Sequence, residues 1–122
     1  MAWHMHTLTE HPIDSATRQT AFAFLDKAAK AFTVKGAILF GSRAKGEFRA
    51  NSDADIAVVL PGNRGQFMAA KLALADMAFD VLLETGIRVQ PLPVWEDEWA
   101  HPESYSNPAL LRNIESDGVR LW

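Results

Sequence analysis

The sequence contains no cysteine and no long uninterrupted hydrophobic run. Without cysteine the chain has neither disulfide bonds nor a thiolate for catalysis, which favours a cytoplasmic protein. Its most hydrophobic stretch is interrupted by Lys71, Asp76, Asp80 and Glu84, so no segment reaches the roughly 18 apolar residues of a membrane-spanning helix. The N-terminal sequence also lacks the basic start and apolar centre of a secretory signal. We therefore expect a cytoplasmic protein without a membrane span.

Basic charge is too scarce for a protein that coats nucleic acid by charge alone. The chain has 12 Lys and Arg residues against 15 Asp and Glu, a formal net charge of -3, so direct nucleic-acid binding is not expected. The charge is unevenly placed: residues 18–49 hold seven basic and two acidic groups, and residues 50–122 hold five basic and eleven acidic groups. This split favours a small positive site for an anion, although an ordinary mixed surface would give the same counts.

The length of 122 residues, 48% of them hydrophobic, predicts one compact domain with its own core. Hydrophobic periodicity and turn residues predict an α/β (α+β) fold: a small mixed sheet of three to four strands flanked by helices. The predicted strands are residues 37–40, 54–60 and 87–94, and the predicted helices are residues 14–32, 66–85 and 107–118, with a helical turn at 95–100. Pro91 and Pro93 place the third strand at a sheet edge.

The division of the chain follows from the same pattern. Residues 1–13 are polar and irregular, which predicts a flexible tail; residues 14–95 form the core, and residues 96–122 form a helical extension packed on it. His4, His6 and His11 in the tail allow a metal site, but their loose spacing gives it little support.

Two segments allow more than one interpretation. The helix at residues 66–85 is apolar on most faces, so it either lies centrally in the core or also covers a partner. We favour the core, and we place Phe67, Met68, Met77 and Phe79 there. The aromatic and acidic tail, with Trp95, Trp99, Tyr105 and Trp122, either closes the open sheet or contacts a basic partner; we favour the first.

The residues with the clearest chemistry lie between positions 39 and 60. Gly41 and Ser42 follow a predicted strand, where backbone N–H groups and the hydroxyl can hold phosphate oxygens. After ten intervening residues come Asp53 and Asp55, which a strand places on one face. Two carboxylates beside a phosphate site are typical of Mg²⁺ binding.

This pattern resembles the minimal nucleotidyltransferases (MNT) of the DNA polymerase beta superfamily, over about residues 15–95. The resemblance implies a polymerase-beta-like nucleotidyltransferase fold. It further implies that Gly41 and Ser42 bind a nucleoside triphosphate such as ATP, that Asp53 and Asp55 hold Mg²⁺, and that Arg43 or Lys45 contacts phosphate.

The short chain leaves little room for a domain that holds the acceptor. It is most similar to the MNT antitoxins that are paired with HEPN ribonuclease toxins, some of which transfer AMP to a tyrosine of the toxin. The resemblance thus implies a protein partner that carries the acceptor hydroxyl. Homo- and hetero-oligomers both remain open.

One position departs from the family pattern. Members of the superfamily bring a third carboxylate from a neighbouring strand, and the matching strand here has Gln90 at its centre. A Gln carbonyl can ligate Mg²⁺, but it adds no negative charge and accepts no proton. Glu96, Asp97 or Glu98 just downstream are candidate substitutes. Without one, the alternative is a catalytically impaired module that acts by protein binding.

Overall fold

The computed structural model describes residues 6–9 and 11–122. The other positions, 1–5 and 10, include His4 and part of the predicted tail, so those predictions lie partly outside the described residues. Along the chain the elements are β1 (His6–Thr7), α1 (Ser15–Ala31), β2 (Gly36–Phe40), α2 (Ser42–Lys45), β3 (Ala54–Leu60), α3 (Phe67–Thr85), β4 (Val89–Trp95), α4 (Glu96–Ala100), a 3-10 turn (Pro102–Ser104), α5 (Pro108–Asp117) and β5 (Val119–Arg120).

The strands form one mixed sheet in the order β1-β5-β2-β3-β4. β2 and β3 pair antiparallel, β3 and β4 pair parallel, and β5 pairs antiparallel with β2 and parallel with β1. The mixed sheet flanked by helices confirms the predicted fold class. Among the described residues it has five strands instead of three to four, because β1 and β5, of two residues each, are too short to produce a periodic signal.

The helix ends are fixed by the residues that the sequence places there. Asp14 caps α1 by accepting a hydrogen bond from the backbone N–H of Thr17 at 3.1 Å. Gly86 ends α3 in the left-handed conformation, with φ 79°. Asn107 caps α5 and Pro108 occupies its first turn. The predicted boundaries of these helices agree with the structure to within one or two residues.

The sheet separates two hydrophobic layers. Side chains of alternate strand residues, such as Leu39 and Ile56, pack against α1 and α3 on one face. The intervening residues, such as Ile38 and Val59, pack against α4, α5 and the turn between them on the other. Both faces of the central strands are therefore buried, which explains their continuous apolar sequences.

β4 is an edge strand, as its two prolines predict. Pro91 and Pro93 are register partners of Ile56 and Val58 on β3. Because backbone groups alternate in direction along a strand, both missing N–H groups lie on the same side of β4. That side is the free edge, so the pairing with β3 is kept.

The C-terminal segment completes the core. Trp95 is buried in the layer beneath α1 and α3, whereas Trp99 and Tyr105 are buried in the other layer. This agrees with the interpretation of the aromatic residues as core cover, except that Trp122 is 43% exposed. The segment also supplies β5, which lies beside β2 within the sheet.

The prediction that the apolar residues of α3 belong to the core is wrong for two of the four named. Phe67 and Met77 pack against the core, but Met68 and Phe79 are 61% and 58% exposed. A helix on a sheet buries one face only, and these two residues lie on the opposite one. None of the described helices is long and apolar enough to cross a bilayer.

Candidate active site

The turn after β2 approaches the second aspartate of the motif closely. Gly41 has φ 73° and ψ -158°, a backbone conformation open essentially to glycine alone. A Cβ atom added there would lie 2.2 Å from Asp55 Oδ2, far inside van der Waals contact. The sequence at Gly41 thus permits both the backbone turn and the contact between the turn and the carboxylate.

Three strands bring the site side chains into one row. Phe40 on β2, Asp55 on β3 and Gln90 on β4 are register partners. Because side chains alternate, Asp55 faces the same side of the sheet as Val59, which is the side covered by α5. Asp53 lies two residues earlier, just before the first residue of β3.

The carboxylate of Asp53 is held by polar groups from the neighbouring strand. Gln90 Nε2 donates a hydrogen bond to Asp53 Oδ2 at 3.1 Å, and Arg88 Nε lies 3.9 Å from the same oxygen. The backbone N–H of Ala54 also donates to the carbonyl of Arg88 at 2.8 Å. Sequence reasoning missed Arg88, although its position two residues before Gln90 was the available signal.

Asp53 and Asp55 are close enough to affect one another. Partial burial raises the pKa of the Asp55 carboxyl above its ordinary value, and the negative charge of Asp53 raises this pKa further. The ionised pair is therefore electrostatically unfavourable in the protein alone. A cation between the two carboxylates would relieve this repulsion.

Arg43, one of the two residues predicted to contact phosphate, is buried beside the turn rather than exposed. The residue is only 3% exposed. Its Nε donates to the carbonyl of Ser52 at 2.9 Å, and Nη1 donates to Thr17 Oγ1 at 2.8 Å. Nη2 donates to the carbonyls of Arg49 and Ala50.

These bonds give Arg43 a structural position in the site. The guanidinium also stacks over the Phe48 ring, 4.6 Å from its centroid. It thus ties the segment that leads into Asp53 to both α1 and α2. The sequence could not reveal this, because a basic residue beside a phosphate-type turn is compatible with either role.

Ser42 and Lys45 lie at the two ends of α2. Ser42 follows Gly41 directly and is half-buried, whereas Lys45 is exposed, with Nζ 4.0 Å from Asp117 on α5. A cavity of about 250 Å³ opens here between the turn and α5, lined in part by Gly41, Lys45 and Asn113. Lys45 is therefore the predicted phosphate contact whose side chain borders open space beside the turn.

The downstream acidic residues do not replace the third carboxylate. β4 ends at Trp95, whose register partner is Leu60, five residues along β3 from Asp55, or about 16 Å at the rise of a strand. Glu96 accepts a hydrogen bond from the N–H of Gly62, and Glu98 forms an ion pair with Arg64. They stabilise the far end of the sheet.

No group of three or more His, Asp or Glu side chains suited to a metal occurs in the described ranges 6–9 and 11–122. His6 and His11 stack with ring centroids 4.8 Å apart, and His11 Nε2 lies 2.9 Å from the carbonyl oxygen of Ala44. His6 and His11 therefore pack the N-terminal segment against α2. Beside Asp53 and Asp55, the neighbouring strand supplies the amide of Gln90 and not a third carboxylate.

Two larger cavities are remote from this chemistry. One, of about 510 Å³, lies beside Arg64 and Glu98. The other, of about 470 Å³, is lined mainly by apolar residues that include Phe32, Leu60 and Trp95, at the opposite end of β3 from Asp55. Cavity size alone would have pointed to the wrong end of the sheet. The charged and strained groups lie instead where β2 ends and β3 and β4 begin.

Comparisons with known proteins agree with this geometry. A solved structure with a similar fold is described as a "putative nucleotidyltransferase" from Sulfolobus solfataricus; the TM-score is 0.56 and the identity 20%, over 87% of this chain and 79% of that one. At this identity the likeness shows the fold alone. No curated protein matches significantly. The family described as "Nucleotidyltransferase domain" matches residues 22–120, most of the chain, and the protein therefore belongs to the nucleotidyltransferase domain family.

Proposed function

We propose that the protein transfers a nucleotidyl group, with AMP from ATP as the first candidate, to a hydroxyl group of a partner protein. The observation that carries this proposal is the contact of the Gly41 turn with Asp55, next to Asp53. A phosphate-type turn and two carboxylates thus lie together where β2 ends and β3 begins. This arrangement suits a metal-bound triphosphate.

The donor set fits Mg²⁺ in kind and charge. Asp53 and Asp55 offer carboxylate oxygens, the ligands that Mg²⁺ prefers, and the amide oxygen of Gln90 lies on the same strand row. Partial burial, and to a smaller extent the negative charge of Asp53, raises the pKa of Asp55, so a bound cation would stabilise its ionised form. When bound, Mg²⁺ would neutralise charge on the triphosphate and on the entering and leaving oxygens.

The chain's own groups would bind and orient the nucleotide. The turn at Gly41 presents backbone rather than a side chain to the carboxylates, so a phosphate group can approach closely. Lys45 can supply a positive charge at the open side of the turn. Arg43 keeps the segment before Asp53 in place.

The proposed reaction is an in-line displacement. The acceptor hydroxyl oxygen forms a bond to the α-phosphorus, the bond to the bridging oxygen of the β-phosphate breaks, and pyrophosphate leaves. The hydroxyl proton must pass to a base. Gln90 cannot accept it, so it would go to a carboxylate of the pair or to water.

The partner that we propose is a HEPN ribonuclease toxin, with this protein as its antitoxin. This part rests on the sequence resemblance to MNT proteins. The described fold consists of the sheet and its two helical layers. In the proposed complex the partner presents the acceptor hydroxyl to the site.

A second candidate function is neutralisation by binding alone, and Gln90 is the observation that favours it. Its amide donates to Asp53, and by the sequence resemblance Gln90 stands where the superfamily has a carboxylate. The amide lowers the negative charge of the site, which weakens metal binding, and it removes a proton acceptor. A protein of this kind would keep the fold and form the complex without transferring label.

One experiment separates the two functions. The purified protein is incubated with Mg²⁺, α-labelled ATP and the product of the neighbouring gene, and the partner is examined for label and for complex formation. Transfer of label supports the enzyme. A stable complex without label supports the binding module, and neither label nor complex refutes both.

Two variants sharpen this test. Asp53→Asn should abolish transfer while leaving the fold intact, because Asp53 is half-exposed and the change removes charge repulsion with Asp55. Asp26→Asn, an exposed aspartate on α1, is the matched control and should transfer normally. Gln90→Asp should increase Mg²⁺-dependent transfer if the missing charge limits the natural protein; unchanged transfer would show that it does not.

A further inference from the structure

The outer face of α3 carries an exposed apolar stripe. Met68, Leu72, Phe79 and Leu83 are large hydrophobic residues between 58% and 72% exposed. Isolated exposed apolar residues are ordinary on a protein surface, but four on one helix face form a contiguous patch. The helix is well capped by Gly86 and packed on β4, so the patch belongs to a rigid surface.

The spacing along this face follows a heptad. Met68, Leu72, Ala75, Phe79 and Leu82 are separated by four, three, four and three residues, which is the alternation of the two seam positions in a coiled coil. Ala75 and Phe79 are exposed, and Leu82 is half-buried. A second helix of matching pattern could pack along the whole stripe.

The charges beside the stripe are complementary to those of a second copy of α3. In this heptad Lys71 occupies one flanking position and Asp76 the other, five residues later. In a parallel pair of helices these two flanking positions meet across the seam, so Lys71 of one copy would face Asp76 of the other, twice over. Lys71 is exposed, with its Nζ 5.8 Å from the Phe67 ring.

The antiparallel arrangement lacks this complementarity. Antiparallel helices bring like flanking positions together, so Asp76 would approach its own copy and Lys71 would find no acidic partner. The repulsion between the two Asp76 carboxylates disfavours the antiparallel pairing. The charges therefore distinguish between two arrangements that the apolar stripe alone would allow.

We infer that α3 is a self-association surface: two copies of the chain pair their α3 helices in parallel, with Met68, Leu72, Ala75, Phe79 and Leu82 along the seam and Lys71–Asp76 pairs across it. This inference does not depend on nucleotidyl transfer. It assigns a role to Met68, Leu72 and Phe79, which the monomer leaves exposed.

Sedimentation equilibrium of the full chain tests the association directly. The expected result is a reversible dimer of twice the 13.5 kDa chain mass. Leu72→Asp, at a 60% exposed site, should weaken association about a hundredfold or more, because it places two charges in the seam. A chain that stays monomeric at millimolar concentration, or a dimer that Leu72→Asp leaves unchanged, would overturn the inference.

The charge pairs have their own test. Lys71→Asp or Asp76→Lys alone should raise the dissociation constant about tenfold, since each creates two like-charge contacts. The double variant should restore it. Arg112→Asp, an exposed position on α5, controls for the change in net charge. Failure of the double variant to recover association would contradict the parallel register.

The absence of cysteine permits a clean test of direction. In the parallel arrangement Met68 lies against Met68 of the other copy, within the Cα separation that a disulfide spans. Met68→Cys should therefore form a cross-linked dimer on mild oxidation, whereas Arg112→Cys should not. In an antiparallel pair, Met68→Cys would cross-link only when mixed with Leu82→Cys, and that result would refute the inference.

Discussion

Gly41→Ala is the substitution that most directly tests the contact between the turn and the carboxylate. The added methyl group would lie 2.2 Å from Asp55 Oδ2. Asp55 would have to turn away, and its carboxylate would leave the position that it shares with Asp53. We therefore expect two losses, one in stability and one in the binding of Mg²⁺ and nucleotide.

The stability loss has two parts. A side chain at φ 73° and ψ -158° costs about 1–3 kcal/mol in backbone strain. Forcing the methyl against Asp55 adds about 1–3 kcal/mol. The free energy of unfolding should thus fall by about 2–6 kcal/mol, measured by urea denaturation.

Two controls separate the clash with Asp55 from the backbone strain. Gly46→Ala also places a side chain at positive φ, 75°, but its Cβ would meet nothing within 4 Å; it should cost only about 1 kcal/mol and leave nucleotide binding intact. In an Asp55→Ala background, the cost of Gly41→Ala should fall by about 1–3 kcal/mol, because the clash is gone.

The double-mutant cycle also gives the result that would refute this reasoning. If Gly41→Ala lowers the free energy of unfolding equally in the natural and Asp55→Ala backgrounds, the turn and the carboxylate are not in contact. If Gly41→Ala retains full Mg²⁺-dependent nucleotide binding, the turn has no part in the site.

Three further predictions concern the framework of the site. Arg43→Lys should lower the free energy of unfolding by about 2–4 kcal/mol, because one ammonium group cannot replace the bonds to three carbonyls and Thr17; denaturation equal to that of the natural chain would contradict this role. Gly118→Ala should cost about 3 kcal/mol or more in the same assay, since its Cβ would lie 2.4 Å from a backbone carbonyl and 2.5 Å from Ile38; a loss below about 1 kcal/mol would show that β5 can shift. Burial, with a smaller effect from Glu98, raises the pKa of Tyr105 above its ordinary value of 10.0. The native protein should therefore form phenolate at higher pH than the denatured chain. Its free energy of unfolding should fall as the pH rises from the pKa of the denatured chain to that of the native protein. Since the chain has one tyrosine, ultraviolet titration reports on it alone, and equal native and denatured curves would exclude the packed position.

Much of the fold was predictable because its main elements are locally encoded. The apolar run at residues 54–60 matches β3, and Asp14, Gly86 and Pro108 mark helix ends through backbone chemistry that involves only near neighbours. β1 and β5 could not be predicted. Two residues carry no periodicity, and their pairing depends on the chain ends meeting in space.

The proximity of the motif residues was predictable from the sequence, whereas the contacts of their side chains were less so. The spacing from Gly41 to Asp55 places the turn beside the carboxylate, as the strand pairing requires. The burial of Arg43 could not be predicted, because it depends on α1 and on the segment before Asp53, which lie on different sides of it in the sequence. Glu98 was considered near the site only because sequence distance does not show that β4 carries it to the far end.

The wrong assignment of two α3 residues to the core has the same cause: the sequence does not show which elements pack against each other. Met68 and Phe79 have the composition of core residues, and only the position of the sheet decides which helix face is buried. Tertiary packing therefore assigned these residues to the surface against their hydrophobicity.

The most direct measurement of the central claim is isothermal titration calorimetry of ATP, with and without Mg²⁺, on the natural chain and on Asp53→Asn, Asp55→Asn and the control Asp26→Asn. The account predicts Mg²⁺-dependent binding by the natural chain and by Asp26→Asn, and none by the two site variants. ATP binding that needs no Mg²⁺, or that survives the loss of either site aspartate, would contradict it.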